Sequence, residues 1–159
     1  MQRIVSTDKK LRAYIIGLAL DNGNLSNSNG RAVRLRITCD KKYPELYLHV
    51  QESLKKLLPN NIVSLVDRPN EGCLDVSCYS NSLEDILGWK AKGGSKYNQD
   101  VKIPNWILED QDFTKECLRG LVQTDGCIYT DRGYLMVNIT SSITPLAENI
   151  ITAIKKHWL

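Results

Sequence analysis

The sequence predicts an α+β fold that contains a duplicated unit. Apolar runs of helical length alternate with short runs of period two, and three segments recur about 100 residues further on. The chain has 159 residues, 42% hydrophobic and 25% charged, which are ordinary values for a folded domain. Neither a dinucleotide-binding glycine pattern nor a Walker phosphate loop is present, so the sequence does not indicate a nucleotide-binding α/β fold.

The first half begins with a buried helix. Residues 11–20, LRAYIIGLAL, are strongly apolar and predict one helix of about ten residues. We expect it to end at Asp21-Asn22-Gly23-Asn24, because Gly and Asn tolerate the left-handed backbone that ends many helices. The polar residues 24–30, NLSNSNG, predict a loop.

The next segment predicts a strand with an unusual polar face. Apolar and polar side chains alternate along residues 32–39, AVRLRITC, which indicates a half-buried strand. Its polar face is unusual because it carries two arginines, Arg34 and Arg36.

The remaining elements follow from helical spacing, period two and turn residues. We expect a helix over 44–58, strands over 62–67 and 73–79, and a short helix ending at Leu87 after a cap at Asn81 or Ser82. A Gly-rich basic loop over 89–104 precedes a helix over 113–124 starting from Asp112 or Thr114, a strand over 134–140 and a helix over 145–159.

Three segments of the first half recur in the second half in the same order. GLALDNG at 17–23 matches GLVQTDG at 120–126, RLRIT at 34–38 matches MVNIT at 136–140, and SLKK at 53–56 matches AIKK at 153–156. The alternative, that two α/β segments merely look alike, does not account for the shared Gly-Leu and Asp/Asn-Gly pairs. The pattern therefore indicates duplication.

The pair YIIGLALDNG and CLRGLVQTDG resembles the signature of the LAGLIDADG homing endonucleases, and the resemblance extends from Leu11 to the chain end. It implies α-β-β-α-β-β-α units with pseudo-twofold symmetry, whose signature helices pack together and whose sheets form a saddle over the DNA major groove. The corresponding division is a first unit at 11–88, a basic connecting loop at 89–111 and a second unit at 112–159.

The resemblance also implies a function: a sequence-specific endonuclease of double-stranded DNA, a hydrolase that cleaves phosphodiester bonds with Mg²⁺ and serves intron or intein mobility. Ca²⁺ or Mn²⁺ would be able to substitute for Mg²⁺ in crystals. A non-catalytic DNA- or RNA-binding protein on the same fold, either a regulator or an intron maturase, is the main alternative. A structural remnant without activity is a third.

Two mid-helix glycines agree with this resemblance. Gly17 and Gly120 occupy positions where glycine costs up to about 1 kcal/mol relative to alanine. A close approach of the two helix backbones would offset that cost, so we expect both glycines at the helix–helix contact. The alternative is an incidental glycine in each helix.

In the family, an acid at the end of each signature helix holds the metal ion beside the scissile phosphates. Asp125 has this position in the second motif, but Asn22 has it in the first. An amide carries no charge and attracts Mg²⁺ less than a carboxylate does, so we expect cleavage to be impaired, reduced to nicking or lost. Asp21 is an alternative metal ligand, although one residue turns a helical side chain by about 100°.

Positive charge is concentrated in two segments, although the net charge is only +3. Residues 30–42 sum to +4 and residues 89–106 to +3, which is the footprint expected of phosphate binding. Arginines on the predicted strand suit guanine, and Asn138 suits adenine. The candidate DNA-binding residues are Arg31, Arg34, Arg36, Thr38, Lys41, Lys42, Arg68, Lys90, Lys92, Lys96, Arg132 and Asn138. Ser64, Asp75, Ser77, Tyr79, Met136 and Thr140 are additional candidates on neighbouring strand positions. The alternative for each strand residue is that it lies on a solvated strand face without contacting DNA. Three lysines, Lys41, Lys42 and Lys96, are candidates for an active-site lysine.

The second unit stops at Leu159, where its middle helix ends, without a second hairpin and last helix. A shortened chain, a degraded gene or a covering partner chain would each explain this, and we expect a homodimer or a domain swap.

The five cysteines lack Cys-x-x-Cys spacing, so we expect free thiols in a reducing compartment, the cytoplasm or an organellar matrix. The sequence indicates neither a signal peptide nor a membrane partner.

Overall fold

The computed structural model describes residues 4–27 and 30–159, apart from the side chain of Asp125. Its elements repeat an α-β-β-α order, so the predicted α+β class is confirmed. In chain order they are α1 (Lys9–Asn22), β1 (Gly23–Ser26), β2 (Arg34–Asp40), α2 (Pro44–Leu57), β3 (Val63–Arg68), β4 (Cys73–Tyr79), α3 (Leu83–Leu87), α4 (Asn105–Leu108), α5 (Gln111–Asp125), β5 (Gly126–Asp131), β6 (Tyr134–Ile139) and α6 (Thr144–Trp158).

Helices α1 and α5 form the centre of the molecule and make its most extensive helix–helix contact. Every residue of α1 from Ala13 to Leu20 is buried, as expected of a helix surrounded by other elements. Aspartates cap both N-termini: Asp8 accepts a hydrogen bond from Leu11 N at 3.2 Å, and Asp110 accepts one from Phe113 N at 3.0 Å. The expected start of α5 at Asp112 or Thr114 is therefore wrong, because the Asp110 side chain satisfies the first turn.

The first sheet is antiparallel and has the strand order β1-β2-β4-β3. Its register places Arg36 opposite Asn24 on one side and Ser77 on the other. Leu35 and Ile37 point to the opposite face and are fully buried in the core that α1 and α2 share with the sheet. The sheet therefore has one apolar face and one polar face, as the alternation along β2 predicted.

Strand β1 corrects the prediction of a polar loop over 24–30. Gly23 follows α1 directly with φ −90° and ψ 142°, an extended conformation rather than the left-handed one expected. Leu25 pairs with Leu35 of β2 and is 7% exposed. Pairing with β2 outweighs the polar composition of this segment. Residues 28 and 29, also within the predicted loop, lie outside the described residues.

The second sheet consists of the β5–β6 hairpin, in which Tyr129 pairs with Met136. Its apolar side chains are largely exposed, with Leu135 at 73%. Among the described residues, every helix is too short or too polar to span a lipid bilayer. All five cysteines are free; Cys39, Cys78 and Cys117 are buried.

Candidate nucleic-acid interface

The contact between α1 and α5 depends on two glycines. A Cβ atom on Gly17 would overlap the backbone of Cys117, and one on Gly120 would overlap Tyr14 O and lie 2.7 Å from Leu18 N. The two helix backbones therefore touch where the repeated motifs align. This contact places the C-terminal ends of α1 and α5 side by side.

The paired helix ends bring the two repeated motifs together at Asn22 and Thr124. Asn22 Nδ2 donates a hydrogen bond to Thr124 O over 2.9 Å, so the side chain of the first motif reaches the backbone of the second. Asp125 follows Thr124 as the last residue of α5. The side chain of Asp125, a candidate catalytic and metal-binding group, lies outside the described part of the chain.

Lys96 lies against the end of α1 rather than on an outward-facing loop. Its Nζ donates hydrogen bonds to Ala19 O, Leu20 O and Asp21 O at 2.8, 2.9 and 3.2 Å. These carbonyls belong to the last turn of the helix, where the helix dipole favours a cation; Ala19 O also accepts the backbone N–H of Gly23. Burial lowers the pKa of Lys96 to about 8, and the nearby Asp21 carboxylate opposes that shift.

Because all three ammonium protons of Lys96 are directed at α1, its position differs from the phosphate contact that the sequence predicted. The charge of the linker suggested binding, but the sequence contained no sign that this lysine turns inward. Trp89 lies 5.6 Å from the ammonium, with its ring facing the charge. Lys90 and Lys92 of the same linker are exposed.

The end of the first motif does not fit a Mg²⁺ ion. A hard cation requires oxygen ligands, preferably charged ones. Here Asn22 directs an amide N–H at Thr124 O, and the Lys96 ammonium, with the Asp21 carboxylate nearby, takes the carbonyl oxygens at the end of α1. Within the described residues, no three His, Cys, Asp or Glu side chains are grouped so that they could hold a metal ion. Among the described side chains, Asn22 and Asp21 therefore do not form a cation site on their own, and their role as metal ligands beside Asp125 stays a prediction.

On the polar face of the first sheet, two arginines are held by neighbouring strands. Arg34 Nε donates to Ser77 Oγ at 2.8 Å, and the guanidinium lies 5.8 Å from the Tyr79 ring. Arg36 Nη2 donates to Asn24 Oδ1 at 2.9 Å. Both side chains are half-buried, so their guanidinium groups are held close to the sheet.

A third arginine on this face is oriented by a buried carboxylate. Asp75, 4% exposed, accepts hydrogen bonds from Arg68 Nε at 3.0 Å and from Thr38 Oγ1 at 2.8 Å. Ser77 is also 4% exposed. The sequence suggested Asp75 and Ser77 as base contacts, but they lie beneath the arginines and anchor them. The period of two along the strand predicted that Asp75 and Ser77 lie on the polar face of the sheet. Their burial, however, depends on side chains from the neighbouring strands.

The other candidate residues are distributed over several surfaces. Lys41 forms an ion pair with Asp67, and Lys42 lines a cavity of about 1020 Å³ between α2 and α5. Arg31 is exposed at the start of the segment leading into β2. Arg132, in the β5–β6 turn, has a positive φ of 51°, and Asn138 is exposed on β6. The structure therefore collects Arg34, Arg36, Arg68 and Thr38 on one face, whereas Arg132 and Asn138 lie on the second hairpin, a separate surface with many exposed apolar side chains.

No protein-family model matches the sequence, and no curated protein matches it. Solved structures do match. The crystal structure of the homing endonuclease I-DmoI in complex with DNA and Mn has a TM-score of 0.67 at 15% identity, covering 93% of this chain and 77% of that chain. A structure of mesophilic I-DmoI variants has a TM-score of 0.66 at 14% identity, covering 93% of this chain and 72% of that chain.

Full-length DUF199/WhiA from Thermatoga maritima matches with a TM-score of 0.60 at 12% identity, over 98% of this chain and 46% of that chain. The N-terminal LAGLIDADG domain of DUF199/WhiA matches with a TM-score of 0.57 at 12% identity, over 98% and 69% respectively. At these identities the similarity establishes the fold. The predicted LAGLIDADG-like fold, with two signature helices packed together, is confirmed.

Proposed function

We propose that this chain binds double-stranded DNA sequence-specifically through the polar face of its first sheet. The observation that carries the proposal is the set of three anchored arginines, Arg34, Arg36 and Arg68, on one face of one sheet. The homing endonuclease I-DmoI, which has the same fold, has been crystallised in complex with DNA. We extend DNA binding from that protein to the present chain.

Anchoring suits the arginines for base recognition. A guanidinium reads guanine through two N–H groups directed at O6 and N7. In Arg34 and Arg68 the Nε group is bonded to the sheet, so each guanidinium plane is oriented before DNA arrives. Preorganisation lowers the entropy lost on binding. The Asp75 carboxylate beneath Arg68 is itself nearly inaccessible, which keeps it away from DNA phosphates.

We propose further that this chain derives from a Mg²⁺-dependent endonuclease and that cleavage is impaired at the first motif. The support is chemical: Asn22 offers an uncharged amide whose nitrogen already donates to Thr124 O. The I-DmoI complexes contain Mn or Ca, which fits a divalent-ion enzyme for that protein. Asp125 is the remaining acid of the motif pair.

The contact from Asn22 to Thr124 also favours a second candidate, a non-catalytic DNA- or RNA-binding protein, because it closes the helix ends without a metal. Incubating target duplex with Mg²⁺ separates the two candidates. Nicking of one strand supports an impaired endonuclease, and stable binding without any nick supports the non-catalytic protein.

Selection of bound sequences from a random duplex library, followed by affinity measurements, tests the binding proposal. We expect an enriched motif containing guanines and a drop of about 10-fold or more for Arg34→Ala, since one bidentate pair is worth about 1–3 kcal/mol. Lys56→Ala, an exposed lysine of α2, removes the same charge and serves as the control. Equal losses in both variants, or no enriched motif, would contradict sequence-specific binding through this face.

Three expectations stay predictions: the division into units at 11–88 and 112–159 with a connecting loop at 89–111, the homodimer or domain swap, and RNA as an alternative partner. Light scattering at high protein concentration tests the second, and a clean monomer would contradict it. Competition between duplex DNA and structured RNA tests the third.

A further inference from the structure

We propose that the Lys96 ammonium takes the place of a metal ion at the paired helix ends. Lys96 and Asn22 donate hydrogen bonds to the backbone carbonyl oxygens that a divalent ion would use. Helices α1 and α5 therefore pack together independently of metal. This inference deepens the proposed function, and only its consequence for DNA binding rests on that function. The inference itself concerns contacts within the free protein.

The carbonyls in question belong to equivalent positions of the two motifs. Asp21 O immediately precedes Asn22 in the first motif, and Thr124 O immediately precedes Asp125 in the second. Backbone carbonyls at the end of a helix are unpaired oxygen ligands of the kind that hard cations use. In this chain both accept N–H groups, the first from Lys96 at 3.2 Å and the second from Asn22 at 2.9 Å.

Lys96 satisfies its own hydrogen-bonding capacity in this position. An ammonium has three donors, and the last turn of α1 offers Lys96 three carbonyl acceptors within 3.2 Å. The positive charge stands at the negative end of the helix dipole, and the Trp89 ring lies 5.6 Å from it with its face towards the charge. A divalent ion placed beside this ammonium would be repelled by it.

Asn22 turns the second carbonyl into a direct link between helices. Its Nδ2 donates across the helix pair to Thr124 O. A carboxylate at the same position has no N–H to donate, and an anionic oxygen facing that carbonyl oxygen would be repelled unless a cation lay between them. The amide therefore replaces a contact that needs a cation by a hydrogen bond that needs none.

The test measures metal binding and stability on the full chain without DNA, so it stands apart from the test of DNA binding. Mn²⁺ titration followed by electron paramagnetic resonance counts bound ions, and thermal unfolding in EDTA and in Mn²⁺ reports whether an ion stabilises the fold. Asp125→Asn serves as the background, because it removes the carboxylate of the second motif.

In that background we expect no Mn²⁺ bound at micromolar concentration and the same Tm in EDTA and Mn²⁺. Adding both Asn22→Asp and Lys96→Met should create one Mn²⁺ site and a Tm that rises with Mn²⁺. Lys96→Met alone, in the otherwise unchanged chain, should lower Tm by about 4 °C, since charged hydrogen bonds to helix carbonyls are lost. Lys92→Met, an exposed lysine of the same linker, should leave Tm unchanged.

If Lys96→Met does not fold, Asn22→Asp alone decides the question: we expect a lower Tm in EDTA than for the unchanged chain. A Mn²⁺ ion bound by Asp125→Asn with Asn22 and Lys96 intact, accompanied by a rise in Tm, would overturn the proposal. A Tm for Asn22→Asp in EDTA equal to that of the unchanged chain would also overturn it, as would equal Tm values for Lys96→Met and Lys92→Met.

Discussion

Replacing Gly17 with alanine tests the contact that holds the two motif helices together. The added Cβ would overlap the carbonyl of Cys117, and a backbone oxygen cannot rotate away as a side chain can. The helices must therefore separate along a contact that otherwise buries Leu18 and Leu121 completely. Separation loosens packing on both sides of the overlap, because interior atoms lose contact energy when gaps open.

The expected magnitude follows from two opposing terms. Overpacking a core typically costs about 1–3 kcal/mol, and here the obstacle is rigid backbone, which favours the upper end. Alanine returns up to about 1 kcal/mol through its better helix propensity. The net loss is about 2 kcal/mol, which for a chain of this size lowers Tm by about 4–8 °C.

Thermal unfolding by circular dichroism measures this shift. Gly120→Ala should show a similar loss, because its Cβ would overlap the carbonyl of Tyr14. Thr152→Ala, at an exposed position of α6, changes helix propensity without an overlap and should keep or raise Tm. A Tm for Gly17→Ala equal to or above that of the unchanged chain would refute the reasoning and make the glycine incidental.

Three further predictions concern polar and titratable groups. Asp75→Asn should lower stability by about 1–3 kcal/mol, because Arg68 and Thr38 lose a buried charged acceptor, and it should weaken binding of a selected DNA motif; unchanged stability by urea unfolding would contradict this. Iodoacetamide at pH 8 should label Cys73 and Cys127 in the folded protein, as read by peptide mass spectrometry, while labelling of a third thiol would show that the core opens. Stability should fall as pH rises above 9. Burial raises the pKa of Cys39 to about 11 and those of Cys78, Cys117 and Tyr14 to about 12. The unfolded chain therefore loses these protons at lower pH than the folded chain, which favours unfolding. Lys96, whose pKa is lowered to about 8, acts in the opposite direction, but four groups outweigh one; a Tm that is constant from pH 8 to 11 would contradict the prediction.

Local patterns were sufficient for the elements whose side chains alternate regularly. The period of two along β2 predicted which residues face the core, and Leu35 and Ile37 are indeed fully buried. The apolar run of α1 predicted a buried helix. These predictions succeed because the burial of one apolar face contributes most of the free energy that stabilises such segments. The spacing of the apolar residues on that face can be read directly from the local sequence.

Patterns failed where a residue's partner is remote. The β1 segment reads as a polar loop, but its backbone pairs with β2. Asp75 reads as an exposed strand residue, but Arg68 and Thr38 from two neighbouring strands enclose it. Neither outcome follows from the residues beside it in the chain, because the compensating hydrogen bonds come from other strands.

The sequence by itself determined the duplication, the two glycine-containing helices and the arginine-bearing strand, since these depend on spacing within short segments. Only the tertiary structure decided what lies at the motif ends. Lys96 is 75 residues or more from the α1 carbonyls that it binds, and Asn22 is 102 residues from Thr124. Charge in a linker predicts that a lysine is available, but the carbonyl acceptors of a distant helix end determine where its ammonium binds.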